Sequence, residues 1–324
     1  MKSRLLPAAA LLAGAALAAC QSMPAGPAST YNGQTASTQS GTAPQAFVRY
    51  VPERVDDIAW ENDRIAFRIY GPELETAAPP FSSGIDVWAK SVRTPIVNKW
   101  NALGEHFYHL DHGEGLDCYK VGAGRGCGGL GIWNADEKKL YVSHDWQSFK
   151  ILSSGPAIAK FQVTYAPWRV TTPKDKVENA GAPGRKVWQV TTFTLAMGTN
   201  FNRIETTLYS NDPGEITVGV GLANHRNKEG ILFQDAPTAR ETFWDKADKD
   251  PSDPIDPGYI GTGLMANPAD FTGFVATEDD NLAILRVSPG KPFVYYAGAC
   301  WSKGLDFHTS DQWNAYVKSA HEKF

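Results

Sequence analysis

Twenty-five residues, Glu105 to Gly129 (EHFYHLDHGEGLDCYKVGAGRGCGG), hold the densest collection of reactive side chains in the 324-residue chain. His106, His109 and His112 fall within seven residues and account for three of the seven histidines. Glu105, Asp111, Glu114 and Asp117 are interleaved with them, and Tyr119, Lys120 and Arg125 follow. Imidazole and phenol move protons when their surroundings tune them, and a guanidinium or ammonium holds a carboxylate. Seven glycines in the same stretch let the backbone turn sharply and approach a ligand. The inventory matches elimination from a uronate-type sugar, which needs a cation for the carboxylate, a base for the C5 proton and an acid for the leaving oxygen. His109 or His112 is the expected base, with Asp111 or Glu114 orienting the imidazole. Tyr119 is expected to exchange a proton with the departing oxygen, Lys120 lowering its pKa, while Arg64 and Arg125 neutralise the substrate's acid group.

The same residues admit other chemistry. His109-x-Asp111-His112 could hold a divalent metal, although on a strand His109 and Asp111 would face away from His112 and Glu114. Their spacing matches no zinc motif, and no other cofactor is expected. Asp111, Glu114 and Asp117 could act as the paired carboxylates of a glycoside hydrolase. A glycan-binding protein without chemistry would use the aromatics alone. Outside the stretch, Arg64 could bind substrate or pair with Glu61, and Asn98 and Lys99 could line a cleft. His225 is expected at a cleft rim, and Trp301 with Lys303 could offer a stacking platform and a cation. There is no G-x-S-x-G elbow, phosphate loop or dinucleotide fingerprint.

The elements that must position these groups are strands. Residues 65–70, 85–90, 140–142, 159–165, 216–223, 258–265, 272–277, 282–287 and 292–298 alternate or run apolar between turn residues. Lys186–Ala196 and Phe201–Tyr209, joined by Met197-Gly198-Thr199-Asn200, have the pattern of a hairpin. Only the C-terminus reads as helix, capped by Ser310 or Asp311 and carrying Trp313, Tyr316, Val317 and Ala320. Without strand–helix alternation the chain should be all-β, a large antiparallel β-sandwich with a short C-terminal helix. The segments 171–185 and 245–257 read as loops of that domain. A net charge of −4 provides no basic face for nucleic acid. The many aromatic rings suit sugars, whose apolar faces stack on Trp and Tyr.

The amino end reads as an export signal. A basic start (Met1 to Arg4) precedes the apolar run Leu5–Ala19, and Leu17-Ala18-Ala19-Cys20 resembles the lipobox of bacterial lipoproteins. Residues 1–20 are then a cleaved signal with lipidation at Cys20, residues 21–45 a Ser/Thr/Pro/Gly-rich tether, and residues 46–324 one β domain. That places the protein in a bacterial envelope, at the periplasmic face or outer membrane, touching the membrane only through its lipid. In an oxidising compartment Cys118 and Cys127 could form a disulfide, and Cys300 reads as a buried small residue.

Several stretches together resemble one family. They are Glu53-Arg54, Asp56–Arg68 (DDIAWENDRIAFR), Gly84–Trp88 (GIDVW), His109–Asp117 (HLDHGEGLD), Tyr119–Gly122 (YKVG) and Trp301–Gly304 (WSKG). The chain is similar over essentially its whole mature length to exported bacterial proteins labelled as a domain of unknown function. That resemblance implies a galactose-mutarotase-like supersandwich, a setting among polysaccharide-degradation genes and kinship with oligosaccharide dehydratases. Acidic oligosaccharides or polysaccharides are the implied partners.

Overall fold

The computed structural model describes residues 43–77, 83–170, 184–227 and 229–324. The export signal, Cys20, the tether up to residue 42 and most of the 171–185 loop lie outside these residues.

Three sheets share one core. The first is a meander of β1 (Phe47–Val51), β2 (Asp57–Glu61), β3 (Ala66–Ile69), β4 (Ile85–Lys90) and β5 (Gly115–Asp117). Next in the chain come β6 (Cys127–Asn134), β7 (Lys139–Tyr141), β8 (Trp146–Ser154), β9 (Ile158–Arg169), β10 (Lys186–Ala196), β11 (Phe201–Ser210) and β12 (Ile216–Ala223). The last six are β13 (Ile231–Asp235), β14 (Arg240–Lys246), β15 (Tyr259–Ala266), β16 (Phe271–Ala276), β17 (Asp280–Val287) and β18 (Pro292–Trp301). The eight-stranded sheet has the order β13-β14-β15-β18-β11-β10-β9-β8, and the third sheet β16-β17-β12-β6-β7. Every ladder between these strands is antiparallel, so the all-β reading holds.

Alternation explains where the core sits. On β9, Ala159, Phe161, Val163 and Tyr165 face inward, while Lys160 and Arg169 face solvent. The β10–β11 hairpin closes as its sequence pattern requires, with Thr194 opposite Arg203 and Gly198 at φ +75° in the turn. Trp60 from the first sheet packs on Phe67, Phe161 and Phe193 at ring-centroid distances of 5.6, 4.8 and 5.4 Å.

Some elements escaped the sequence pattern. In β14 every residue from Glu241 to Asp245 is buried, so the strand lacks the inside–outside alternation that would announce it. Strands β8 and β13 were likewise not expected. Three α-helices were also missed. The first is α1 (Leu74–Ala77); the next, α2 (Val97–Leu103), is seven residues long and too short for a helical period. The Ile96 and Val97 amides at the start of α2 donate to Glu61 of β2 at 2.9–3.0 Å, a cap supplied from another element. Glu61 in turn receives Lys90 Nζ at 2.7 Å, both side chains fully buried. Glu105–Tyr108 forms a one-turn helix, α3, where a Gly-rich loop was expected. The C-terminal helix α4 (Ser310–Ser319) is capped by Thr309, whose side chain accepts the Gln312 N–H at 3.3 Å, rather than by Ser310 or Asp311.

Cys118 and Cys127 are free, buried thiols, not a disulfide. Cys118 follows β5 of the first sheet, whereas Cys127 opens β6 of the third and directs its Sγ to the Gly298 carbonyl at 3.2 Å.

Candidate functional site

Strand β12 leaves the third sheet at Ala223, and the chain turns through Asn224, His225, Arg226 and Asn227. The Asn224 side chain builds the turn: its Oδ1 accepts the Arg226 N–H at 2.9 Å and its Nδ2 donates to the Thr277 carbonyl at 3.2 Å. His225 and Arg226 both sit in the left-handed region, at φ +52° and +54°. Such backbone costs on the order of 1–3 kcal/mol per non-glycine residue and concentrates at functional sites.

The turn carries His225 to the end of β14. There its Nδ1 meets Asp245 Oδ2 at 2.8 Å, while Asn227 Nδ2 donates to Asp245 Oδ1. A carboxylate can only accept, so the contact calls for the proton at Nδ1 and makes Nε2 the outward-acting nitrogen of the ring. Nε2 is shielded from solvent and meets no hydrogen-bond partner among the described residues.

His225 and Asp245 line a cavity of about 530 Å³, within the size range of ligand sites. Its lining also includes Lys120, Arg226, Asn227, Lys246, Asp248 and Asp279. The Asp248 N–H donates to the Cys118 carbonyl at 2.8 Å, tying the loop after β14 to the segment that holds Lys120. Arg226 pairs with Glu278 at 2.8 Å and Asp279 at 2.9 Å, both contacts near the surface. Behind the His225 ring, Tyr119 packs edge-on at 5.0 Å between centroids. Its hydroxyl is buried beside Ala223, whose N–H is already given to the Gly126 carbonyl at 2.8 Å, and meets no well-aligned hydrogen-bond partner among the described residues. Burial therefore pushes the Tyr119 phenol well above its ordinary pKa, opposite to the expected lowering by Lys120. Asp280, opposite Ala223 in the ladder, accepts the Arg125 N–H at 2.6 Å; burial raises it to about 6 against the opposing pull of Arg125.

The expected residues divide into those the fold brings here and those it sends elsewhere. Lys120 and His225 line the cavity, and Tyr119 backs it. His109 ends α3 with Nε2 3.4 Å from Asp117, which raises its pKa; desolvation opposes. His112 is exposed and stacks on Phe107 at 4.1 Å. Asp111 closes its own turn by accepting the Gly113 and Gly115 amides at 2.8 and 3.2 Å. Glu114 pairs with Lys99 at 2.9 Å, and Asn98 lies on α2 beside it. His109, Asp111 and His112 thus point to three different partners. Among the described residues no group of three or more His, Cys, Asp or Glu side chains is placed to hold a metal ion.

Arg125 is 2% exposed and beneath the cavity wall, donating to Ser83 Oγ at 3.0 Å, so it does not present its charge to a ligand. Trp301 is buried too, with Nε1 on the Pro257 carbonyl at 2.7 Å, and forms no stacking platform. Lys303 donates to the Asp256 carbonyl. Arg64 reaches Asn200 at 3.2 Å and Asp306 at 3.9 Å, neither Glu61 nor the cavity. Asp245, Asn227, Arg226, Asp248 and Asp279 were missed. The polar tetrad Asn224-His225-Arg226-Asn227 directly after an apolar strand was the available signal; Asp245 had none, being read as the first residue of a loop.

The chain is 32% identical over 292 residues to "Uncharacterized protein P7" of Formosa agariphila, covering 86% of this chain and 67% of that protein. A solved chain described as a kojibiose phosphorylase from the human microbiome aligns over 86% of this chain with a TM-score of 0.40 and 8% identity. The GH36 alpha-galactosidase AgaB from Geobacillus stearothermophilus aligns over 79%, with a TM-score of 0.36 and 8% identity. This chain spans 36% and 41% of those two solved chains. A family described as "Domain of unknown function (DUF4861)" matches residues 15–324. With nearly the whole chain matched, the protein belongs to that family.

Proposed function

We propose that the protein is a carbohydrate-active enzyme that performs β-elimination on acidic, uronate-type oligosaccharides, as a lyase or dehydratase. The observation that carries the reading is the Asp245–His225 pair at 2.8 Å, on a strained turn, at the wall of a cavity that also holds Lys120 and Arg226. Lys120 is exposed there, and the Arg226 pairs with Glu278 and Asp279 are solvent-exposed contacts of small net worth, so both cations are available to a substrate carboxylate. Substrate entry uncovers His225 Nε2, the acidified C5 proton passes to it, and the C5–H electrons become the C4=C5 bond. The C4–O bond breaks, and the leaving oxygen takes the proton back from the imidazolium. Asp245 stabilises the imidazolium between the two steps. His225 replaces His109 and His112 as the proton-transfer group because neither of those lines the cavity.

Incubation with uronate-containing polysaccharide digests tests the reading. Products should gain the ultraviolet absorbance of a C=C bond conjugated to the carboxylate and be lighter by one water than hydrolysis products. His225→Ala should lower turnover by about 10²–10⁴. His109→Ala and His112→Ala should keep it. Products that gain water without new absorbance would instead identify a hydrolase using the cavity carboxylates, and binding without any product a glycan-binding protein. Part of the same proposal is envelope anchoring through lipidated Cys20: Cys20→Ser should release the protein from membranes.

A further inference from the structure

One turn supplies both the imidazole and the group that aims its carboxylate. Asp245 is 4% exposed and uses both oxygens: Oδ2 takes His225 Nδ1 at 2.8 Å, while Oδ1 takes Asn227 Nδ2 and the Lys246 N–H at 2.7 Å. The Asn227 amide cannot turn over freely, because its own Oδ1 accepts the Glu229 N–H at 2.9 Å. Its NH₂ end is thereby committed to Asp245. Residues 225 and 227 reach one carboxylate because the two left-handed residues between Asn224 and Asn227 fold the chain back. A carboxylate's terminal torsion is broad, so without Asn227 the Oδ1 side would keep only the amide of the next residue, Lys246, and the carboxylate would sample orientations that release the imidazole.

We infer that Asn227 is a positioning residue: by holding Asp245 Oδ1 it commits Oδ2 to His225 and keeps Nε2 as the lone-pair edge of the ring. The inference rests on the reading of His225 as the proton-transfer group, but its test does not need turnover. In ¹⁵N-histidine-labelled full-length protein, two-bond nitrogen–proton correlations report the ring tautomer, with the His225 signal identified by its loss in His225→Gln. Wild type should show the Nδ1–H tautomer. Asn227→Ala should show a mixture of tautomers, and turnover on an active digest should fall by up to about 10²-fold, as for small misplacements of catalytic groups. Asn227→Asp keeps the shape but removes the donor, and should lose the single tautomer as well. A wild-type Nε2–H tautomer would overturn the inference, as would Nδ1–H retained in both variants. If neither variant folds, Asn227 is a framework residue and the inference falls. A shifted tautomer without turnover on any digest would leave the inference standing and sink the proposed reaction.

Discussion

Replacing Arg68 by Met should be among the most damaging single changes in the molecule, and the loss should depend on pH. The Arg68 guanidinium is buried among three carboxylates, at 2.5 Å from Asp86, 3.0 Å from Asp117 and 3.7 Å from Asp57. Trp88, Tyr70 and Tyr108 surround it with ring centroids at 5.0, 5.2 and 5.8 Å. Met fills a similar volume but leaves the carboxylates without their cation. Removing one partner from a buried charge network costs about 3–5 kcal/mol. At 1.36 kcal/mol per tenfold, that is a rise of about 10²–10⁴ in the unfolding constant. Burial already pushes Asp86 up to about 7, helped by Asp117, and Asp57 to about 6, with Arg68 pulling both down. In Arg68→Met the folded state should therefore take up protons to neutralise them, and the penalty should shrink as pH falls. Urea unfolding at pH 5 and pH 8 measures this. A wild-type midpoint at pH 8 would refute the role of the network. An equal loss at both pH values would trace the cost to packing rather than to uncompensated charge. Because Asp117 ends β5 just before Cys118, Tyr119 and Lys120, the variant should also loosen the cavity wall.

Other consequences follow from burial. Asp57, Asp86, Asp145, Glu241 and Asp280 are all raised by burial, to about 6, 7, 8, 7 and 6. A carboxyl whose folded pKa lies above its unfolded value of about 3.9–4.3 binds protons more tightly when folded, so its stabilisation is present at low pH and fades as pH rises to the folded value. The urea midpoint should accordingly be higher at pH 5 than at pH 8, and a midpoint that climbs across that window would contradict the sign. Trp301→Ala should destabilise by about 3–5 kcal/mol without changing glycan affinity, reversing the outcome expected of a stacking platform. In the Cys20→Ser chain, Cys118, Cys127 and Cys300 should react with a thiol reagent only after unfolding; rapid labelling of the native protein would show that they are not buried.

The sequence by itself determined the sheets whose strands keep one wet face. Residues 158–169, 186–196 and 201–210 alternate because one side meets the core and the other meets water, and that period is local information. It also located the segment after β5: Tyr119 and Lys120 reach the cavity, from the stretch where reactive residues are densest. It did not determine which of those residues act together. His109, Asp111 and His112 are neighbours in the chain, yet one helical turn and an Asx-type turn send them to Asp117, to backbone amides and to Phe107. His225 and Asp245, twenty residues apart, meet at 2.8 Å because β12 and β14 lie in different sheets whose ends converge. Asp245 was illegible as a site residue because β14, buried on both faces, carries no alternation to separate core from cleft. Arg68, Lys90 and Glu61 look like surface charges in a strand pattern and become interior pairs only when helices α2 and α3 close over the first sheet. Periodicity records a residue's neighbours along one strand; convergence of strand ends, burial of charge and the meeting of His225 with Asp245 depend on packing between elements, which only the tertiary structure decides.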